Sequence, residues 1–209
     1  MTLARPRRQE ERRGQLVAAT SRAIAGRGLA GLRLKHIADE AGLSIGSVLY
    51  YYPDLDALLS EVHAHVLEQF YWNRVRATES VVGASAKLQV AVDAGVPSDR
   101  ADITLRTIYE LHAAAVRNPV HAELLTTLWE REVSLYQAIL NTGARDDEFA
   151  LVGSVRAIAE TVVALEDAFD LHLTSNNQAL DRDVAVSRIL GYLSVATGRS
   201  LDRPAAVAH

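Results

Sequence analysis

Apolar side chains recur three and four residues apart along almost the whole of this 209-residue chain, and nowhere do they alternate with polar ones over a strand's length. That pattern confines the fold to packed helices. Residues 10–27 carry Leu16, Ala19, Ala23 and Ile24 at helical spacing and run out at Gly26 and Gly28. Leu34, Ile37, Ala38 and Ala41 predict a short second helix stopped at Gly42. Ser44 then caps a third, which halts at Pro53 because the residue before a proline is driven out of the helical region. Asp54 opens a long helix to about residue 77. After one short helix before Gly95, others are expected at about 100–117, 119–142, 148–173 and 181–197. About nine helices and no sheet make an all-α fold. Its expected parts are a head at 1–53, a body at 54–200 joined to it by helix 54–77, and a frayed tail at 201–209.

Several classes of function drop out early. The chain has no cysteine, so disulfides, thiolate zinc sites, iron–sulfur clusters and thiol nucleophiles are excluded. The longest stretch free of charge, Ala41 to Pro53, is 13 residues, short of the roughly 18 needed to cross a bilayer. Arg5, Arg7 and Arg8 are followed by Glu10, Glu11, Arg12 and Arg13 where a signal peptide needs an apolar core. A cytoplasmic protein without membrane contact is expected.

Charge is unevenly spread. The net charge is −4, yet residues 1–53 hold nine basic against four acidic side chains, and the remaining 156 hold 13 against 22. A basic head on an acidic body is an electrostatic footprint for a polyanion. The same charge also reads as a solvated, arginine-rich tail.

The most informative constellation lies between Leu34 and Leu58, where two short helices flank a glycine-centred turn. Ala38, four residues before Gly42, is small enough for close helix approach, and Leu43 and Val48 supply apolar contacts. Val48 and Tyr52 can face inward together. Ile45, Gly46, Ser47, Tyr50 and Tyr51 are then left on the outside, near a helix N-terminus that could enter a major groove. Glycine permits close approach, and serine and tyrosine hydroxyls can reach base edges or phosphates.

The stretch LKHIADEAGLSIGSVLYYYPDLDALL, Leu34 to Leu59, resembles the DNA-binding signature of the TetR family of bacterial transcriptional regulators. The resemblance implies a three-helix head joined by a fourth helix to a ligand-binding, dimerising body. It implies that Arg33, Lys35, Ser44, Ile45, Gly46, Ser47, Tyr50 and Tyr51 form the DNA-binding set. Leu49 departs from a usual tyrosine, and Leu55 from a lysine that clamps a phosphate; Arg5, Arg7 and Arg8 could compensate from the N-terminal arm. The expected partner is a palindromic operator, read by two heads about 34–36 Å apart.

Other patterns carry less. Gly26, Gly28 and Gly31 spell a dinucleotide fingerprint, but a helix precedes them where a strand is required. His121 and Glu123 lack the cysteines of a zinc deaminase, and His63 and His65 are too oppositely placed on one helix to clasp a metal. No nucleophile elbow or phosphate loop occurs. No cofactor, metal or catalytic role is therefore expected.

In the body, helix 148–173 carries Val152, Val155, Ile158, Ala159, Val162, Val163 and Phe169, and helix 181–197 carries Val186, Ile189, Leu190, Leu193 and Ala196. Both are apolar over a wide arc, and the resemblance makes them the homodimer interface. Tyr109, His112, Trp129, Val133, Tyr136, Glu166 and Asp170 are the candidate ligand-binding set, whose rings and carboxylates suit an organic cation. The same residues also read as plain core, with the carboxylates pairing to Arg117 or Arg131. The expectation is a ligand-responsive regulator, most simply a repressor released by a small molecule. A helical binding protein without operator recognition is the alternative.

Overall fold

The computed structural model describes the backbone of residues 4–201 and the side chains of residues 9–201. The elements are α1 (Ala4–Arg27), α2 (Leu34–Ala41), α3 (Ile45–Tyr51), α4 (Leu55–Glu79), α5 (Ala84–Gly95), α6 (Ile103–Ala115), α7 (Pro119–Arg145), α8 (Val155–Thr174) and α9 (Arg182–Thr197). No strand occurs among the described residues. They pack as two compact units. The first comprises the chain up to Glu68 with Ile103–Leu125; the second comprises Gln69–Asp102 with the chain from Thr126 onward.

The first unit is built on α1, α2 and α3. Leu16, Ile24, Ile37, Val48, Leu58 and Val62 are fully buried in one cluster, and so is Leu111 of α6. Leu111 thus brings a helix from far along the chain into this unit's core. The turns follow the sequence signals. Gly42 takes φ 64 at the end of α2, Ser44 accepts from Ser47 N at the start of α3, and Asp54 Oδ1 accepts from Ala57 N at 2.8 Å. Gly28 takes φ 75, and the next amide, Leu29 N, donates to Glu110 Oε2 at 2.7 Å. The glycine fingerprint is thus a helix terminus tied to a carboxylate. Arg22 pairs with Glu40 at 2.8 Å, and Arg13 pairs with Glu61 while lying over the ring of buried Tyr52.

His63 of α4 and His121 of α7 are both buried in this unit, with their Nδ1 atoms 2.8 Å apart. One imidazole therefore donates to the other, which requires the accepting ring to be neutral. Burial, with the charges of His121 and His112 against it, pushes His63 down to about 4; burial lowers His121 too, against the pull of Asp56. The unfolded chain takes up these protons more readily than the folded one, so stability is lost as pH falls below about 6.5. For His63 alone the loss by pH 5 is about 2 kcal/mol relative to neutral pH. Replacing both histidines by leucine is expected to remove that component, read as the change between wild-type and variant urea unfolding at pH 7.5 and pH 5. An unchanged difference would show that the pair does not titrate on unfolding.

In the second unit, α5, α8 and α9 pack with the later parts of α4 and α7. Leu88, Val92, Val133, Leu140, Val162, Ile189 and Leu193 are central. Gly143 of α7 lets Phe149 lie against the helix, since a Cβ there would fall 2.1 Å from the ring. The helix expected from residue 148 begins only at Val155. Gly153 takes φ 105, which breaks the run, and Ser154 caps the new helix through Ala157 N. Residues 150–152 instead bond to the end of α9, through Ala150 N to Thr197 O and Val152 N to Ala196 O, both 2.8 Å. Val152 is consequently exposed and on no helix. Leu201, expected to fray, is buried and its amide donates to Ser194 Oγ at 3.0 Å. The rest of the tail expected at 201–209 lies outside the described residues, as do the side chains of Arg5, Arg7 and Arg8, whose backbone forms the start of α1. Among the described residues no helix is long and apolar enough to cross a membrane.

Candidate functional site

The outer face of the first unit is set by what α3 buries. Val48 is fully enclosed and Tyr52 nearly so, which turns the opposite side of this short helix outward. Ile45 and Leu49 are 43% and 42% exposed and Tyr50 is 73% exposed, three large apolar groups close together on one short helix, which fits a surface awaiting a partner. Gly46 and Ser44 are exposed beside them and Ser47 is half-buried. Tyr51 is less free than the sequence suggests: it packs partly against the unit's core and meets Tyr50 edge to face at 5.1 Å. Ser44 spends its side chain on the helix cap and on Ser47 Oγ at 2.8 Å, so it positions the N-terminus of α3 and holds the Ser47 hydroxyl.

Arg33 and Lys35 are exposed at the start of α2. Arg33 is the N-cap residue and its side chain makes no cap hydrogen bond, leaving first-turn amides of α2 open to an anion. Leu55, where a phosphate-clamping lysine is usual, is half-buried against the unit's core and so contributes packing in place of charge. Two contributors lie outside the DNA-binding set expected from the sequence. Leu49 extends the exposed ridge, and Arg12 of α1 borders a shallow concavity of about 450 Å³ with Leu43, Ser44, Gly46, Ser47, Tyr50 and Tyr51. Arg12 donates to Gln15 at 2.8 Å and lies beside the tyrosines. Helical spacing along α1 identifies its buried face, but only the packing of α1 on α3 reveals which arginine meets the ridge.

The seven residues proposed for a ligand are divided between the two units. Tyr109 and His112 stack with ring centroids 6.2 Å apart in the first unit, whereas the other five lie in the second. Trp129 is half-buried against the core and Val133 is fully within it. Tyr136, Glu166 and Asp170 do converge, around a residue the sequence did not mark. Arg74 of α4 is 1% exposed, and its Nη1 lies 2.9 Å from both Glu132 Oε1 and Glu166 Oε2. Glu166 thus pairs with Arg74, and neither Arg117 nor Arg131 has that place. Tyr136 OH donates to Glu166 Oε1 at 2.5 Å. Phe70 and Tyr136 flank the guanidinium, their centroids 5.0 and 5.8 Å from Cζ. Three buried carboxylates around one guanidinium cannot all ionise. Burial pushes Glu132 up to about 8 and Glu166 up to about 7, and holds Asp170 well above the usual range.

The helices expected to pair two copies bury most of the side chains that suggested it. Ile158, Ala159, Val162, Val163, Val186, Ile189, Leu190, Leu193 and Ala196 are all within the chain's own core. Among what α8 and α9 leave outward is a different face of small residues, Ala157, Thr161, Ala164 and Ala168 on α8 and Val184, Ser187, Gly191 and Val195 on α9, beside exposed Arg156, Leu171 and Arg188.

Residues 16–62 match the family model described as bacterial regulatory proteins, tetR family. Among curated relatives, the HTH-type transcriptional regulator BetI of Burkholderia thailandensis is 41% identical over 63 residues, 30% of this chain and 32% of the relative. BetI of Burkholderia mallei is 37% identical over 87 residues, 41% of this chain and 45% of the relative. The chain spans less than half the length of these relatives. Whole-chain likeness comes from solved structures. A TetR transcription regulator from Haloarcula marismortui superposes with a TM-score of 0.79 at 20% identity, covering 90% of this chain and 99% of the other. A transcriptional regulator from Saccharomonospora viridis, solved in complex with choline, gives 0.81 at 17% identity, covering 88% and 96%. The fold is shared along nearly the full length of each.

Proposed function

We propose, from the match of residues 16–62 to the model of bacterial regulatory proteins of the tetR family, that this protein is a ligand-responsive transcriptional regulator acting in the cytoplasm. In this reading it represses by occupying a palindromic operator and leaves when a small molecule fills the body. The observation that carries the proposal is the outer face of α3, where Ile45, Gly46, Leu49 and Tyr50 stand exposed on a helix whose inner side is locked by Val48 and Tyr52. Arg33, Lys35, Ser47 and Tyr51 flank that face, and Arg12 supplies a phosphate contact from α1.

The operator's symmetry follows from a homodimer formed through α8 and α9. Each presents a row of small residues on its outward side, which would let helices of two copies approach closely and interleave along that row. The effector is an organic cation in this proposal, supported by the choline carried by the Saccharomonospora viridis structure and by the acidic, ring-lined surroundings of Arg74. Tyr136, Glu166 and Asp170 are the members of the sequence-derived ligand set that respond to it. Release is a population shift: the ligand favours an arrangement of the dimer whose heads no longer match the grooves.

Selection of bound fragments from genomic DNA by the purified protein tests the proposal. Recovery of a shared palindrome supports it, and recovery only of unrelated fragments at low salt overturns it. Arg12→Ala is expected to weaken binding to all fragments alike and to reduce the slope of log K against log salt by about 0.9. A changed sequence preference with an unchanged slope would show that Arg12 reads bases and does not meet a phosphate.

A further inference from the structure

Arg74 makes the two kinds of contact expected of a bound organic cation, carboxylate pairing and aromatic flanking. Two carboxylates hold one end of it at 2.9 Å, and aromatic faces of Phe70 and Tyr136 flank it. A third carboxylate, Asp170, is 2% exposed beside these groups and leaves Oδ1 without a hydrogen-bond partner. The guanidinium is itself loosely matched, since its Nε and Nη2 are buried and unpartnered. Unmet donors and acceptors of this kind carry a cost that a better-fitting occupant would relieve. As a purely structural device the arrangement is poor: a buried ion pair gains little over apolar packing, and this one has surplus acid. The bare backbone of Gly95 sets the width of the site, for a Cβ there would lie 2.1 Å from Arg74 Nη2.

We propose that Arg74 fills, from within the chain, a site built for an organic cation, and that an effector with a guanidinium or quaternary ammonium head acts by displacing it. This rests on the ligand-responsive reading above and adds the competitor. Displacement removes the Arg74 contacts from α4, the helix that also carries Leu58 and Val62 into the core of the first unit. A ligand that evicts Arg74 therefore has a differential interaction with two states of that helix, which a shift of population requires.

The test is thermal unfolding of the full-length protein with methylguanidinium, with choline and with choline's uncharged carbon isostere. Wild type is compared with Arg74→Ala and with Arg131→Ala. Arg131 also lies over aromatic rings, Tyr71 at 3.8 Å and Trp72 at 5.8 Å, so its removal controls for the loss of a ring-stacked arginine. Arg74→Ala is expected to melt below wild type and to regain most of that loss with methylguanidinium. Wild type and Arg131→Ala should respond only at higher concentrations, and the isostere should act on none. Equal responses in all three proteins, or none in any, overturn the proposal. Should Arg74→Ala not fold, the Arg74 Nε–H resonance of wild type decides. Saturating methylguanidinium is expected to expose this proton to solvent exchange, and continued protection overturns displacement. Both readouts are taken without DNA, so a head that fails to select an operator leaves them untouched.

Discussion

Tyr50→Ala combined with Tyr51→Ala is expected to abolish recovery of a specific operator while leaving a folded protein that still binds DNA weakly at low salt. Each side chain that meets a base edge or phosphate is worth about 1–3 kcal/mol, so losing two reduces specific affinity by about thirtyfold or more. Tyr50 is 73% exposed and its removal leaves the head's stability within about 0.5 kcal/mol. Tyr51 packs partly on the core, and its truncation carries a fold cost of about 1 kcal/mol. Tyr50→Ala alone is therefore the cleaner probe, and the double variant the more decisive one. Nonspecific binding, which depends on phosphate neutralisation by residues such as Arg12, Arg33 and Lys35, should keep most of its salt dependence. The measurement is a binding isotherm on the selected operator and on scrambled duplex across a salt series. An unchanged ratio between the two duplexes would show that the tyrosines do not contribute to recognition.

The head could be read from the sequence because its signals are local. Gly42, Ser44 and Asp54 each act on backbone groups within four residues, and each took the predicted role. The pairing of Val48 with Tyr52 follows from helical spacing alone, and both proved buried. What escaped depends on packing between distant segments. Arg12 gains meaning only where α1 meets α3, and Leu111 joins the head's core across a gap of more than forty residues from Val62. The body shows the same limit. Ile189 and Leu193 are apolar whether they face their own core or another copy, and hydrophobic periodicity cannot separate those fates. Arg74 stands near aromatic residues in a helix that otherwise looks like a solvated connector, and its burial follows from Glu132 and Glu166, fifty-eight and ninety-two residues away. The Gly153–Ser154 break was legible as a glycine followed by a capping residue, yet the apolar run through Val152 masked it.

The largest effect on stability is expected at Arg74. Arg74→Met keeps an apolar stem of similar length but removes the charge that two buried carboxylates face, and breaking one side of such a pair costs about 3–5 kcal/mol. The carboxylates can soften that loss by taking protons, as their raised affinities already allow, and the variant then acquires a characteristic pH dependence. A carboxyl group with a raised folded-state pKa binds its proton more tightly folded than unfolded. Its contribution is full at acid pH and falls as pH rises above about 4.5, where the unfolded groups ionise. Arg74→Met should therefore lie closest to wild type near pH 5 and fall further behind it toward pH 8, in urea unfolding followed by circular dichroism. Adding Glu166→Gln to Arg74→Met removes one of the stranded acids, so the double variant should cost less than the sum of the two single ones. A shortfall of at least about 1.5 kcal/mol is expected for groups in direct contact. Strict additivity, or a gap that does not widen with pH, would mean that Glu166 and Arg74 do not hold one another in the folded protein. The ion cluster would then be a bystander to the body's stability.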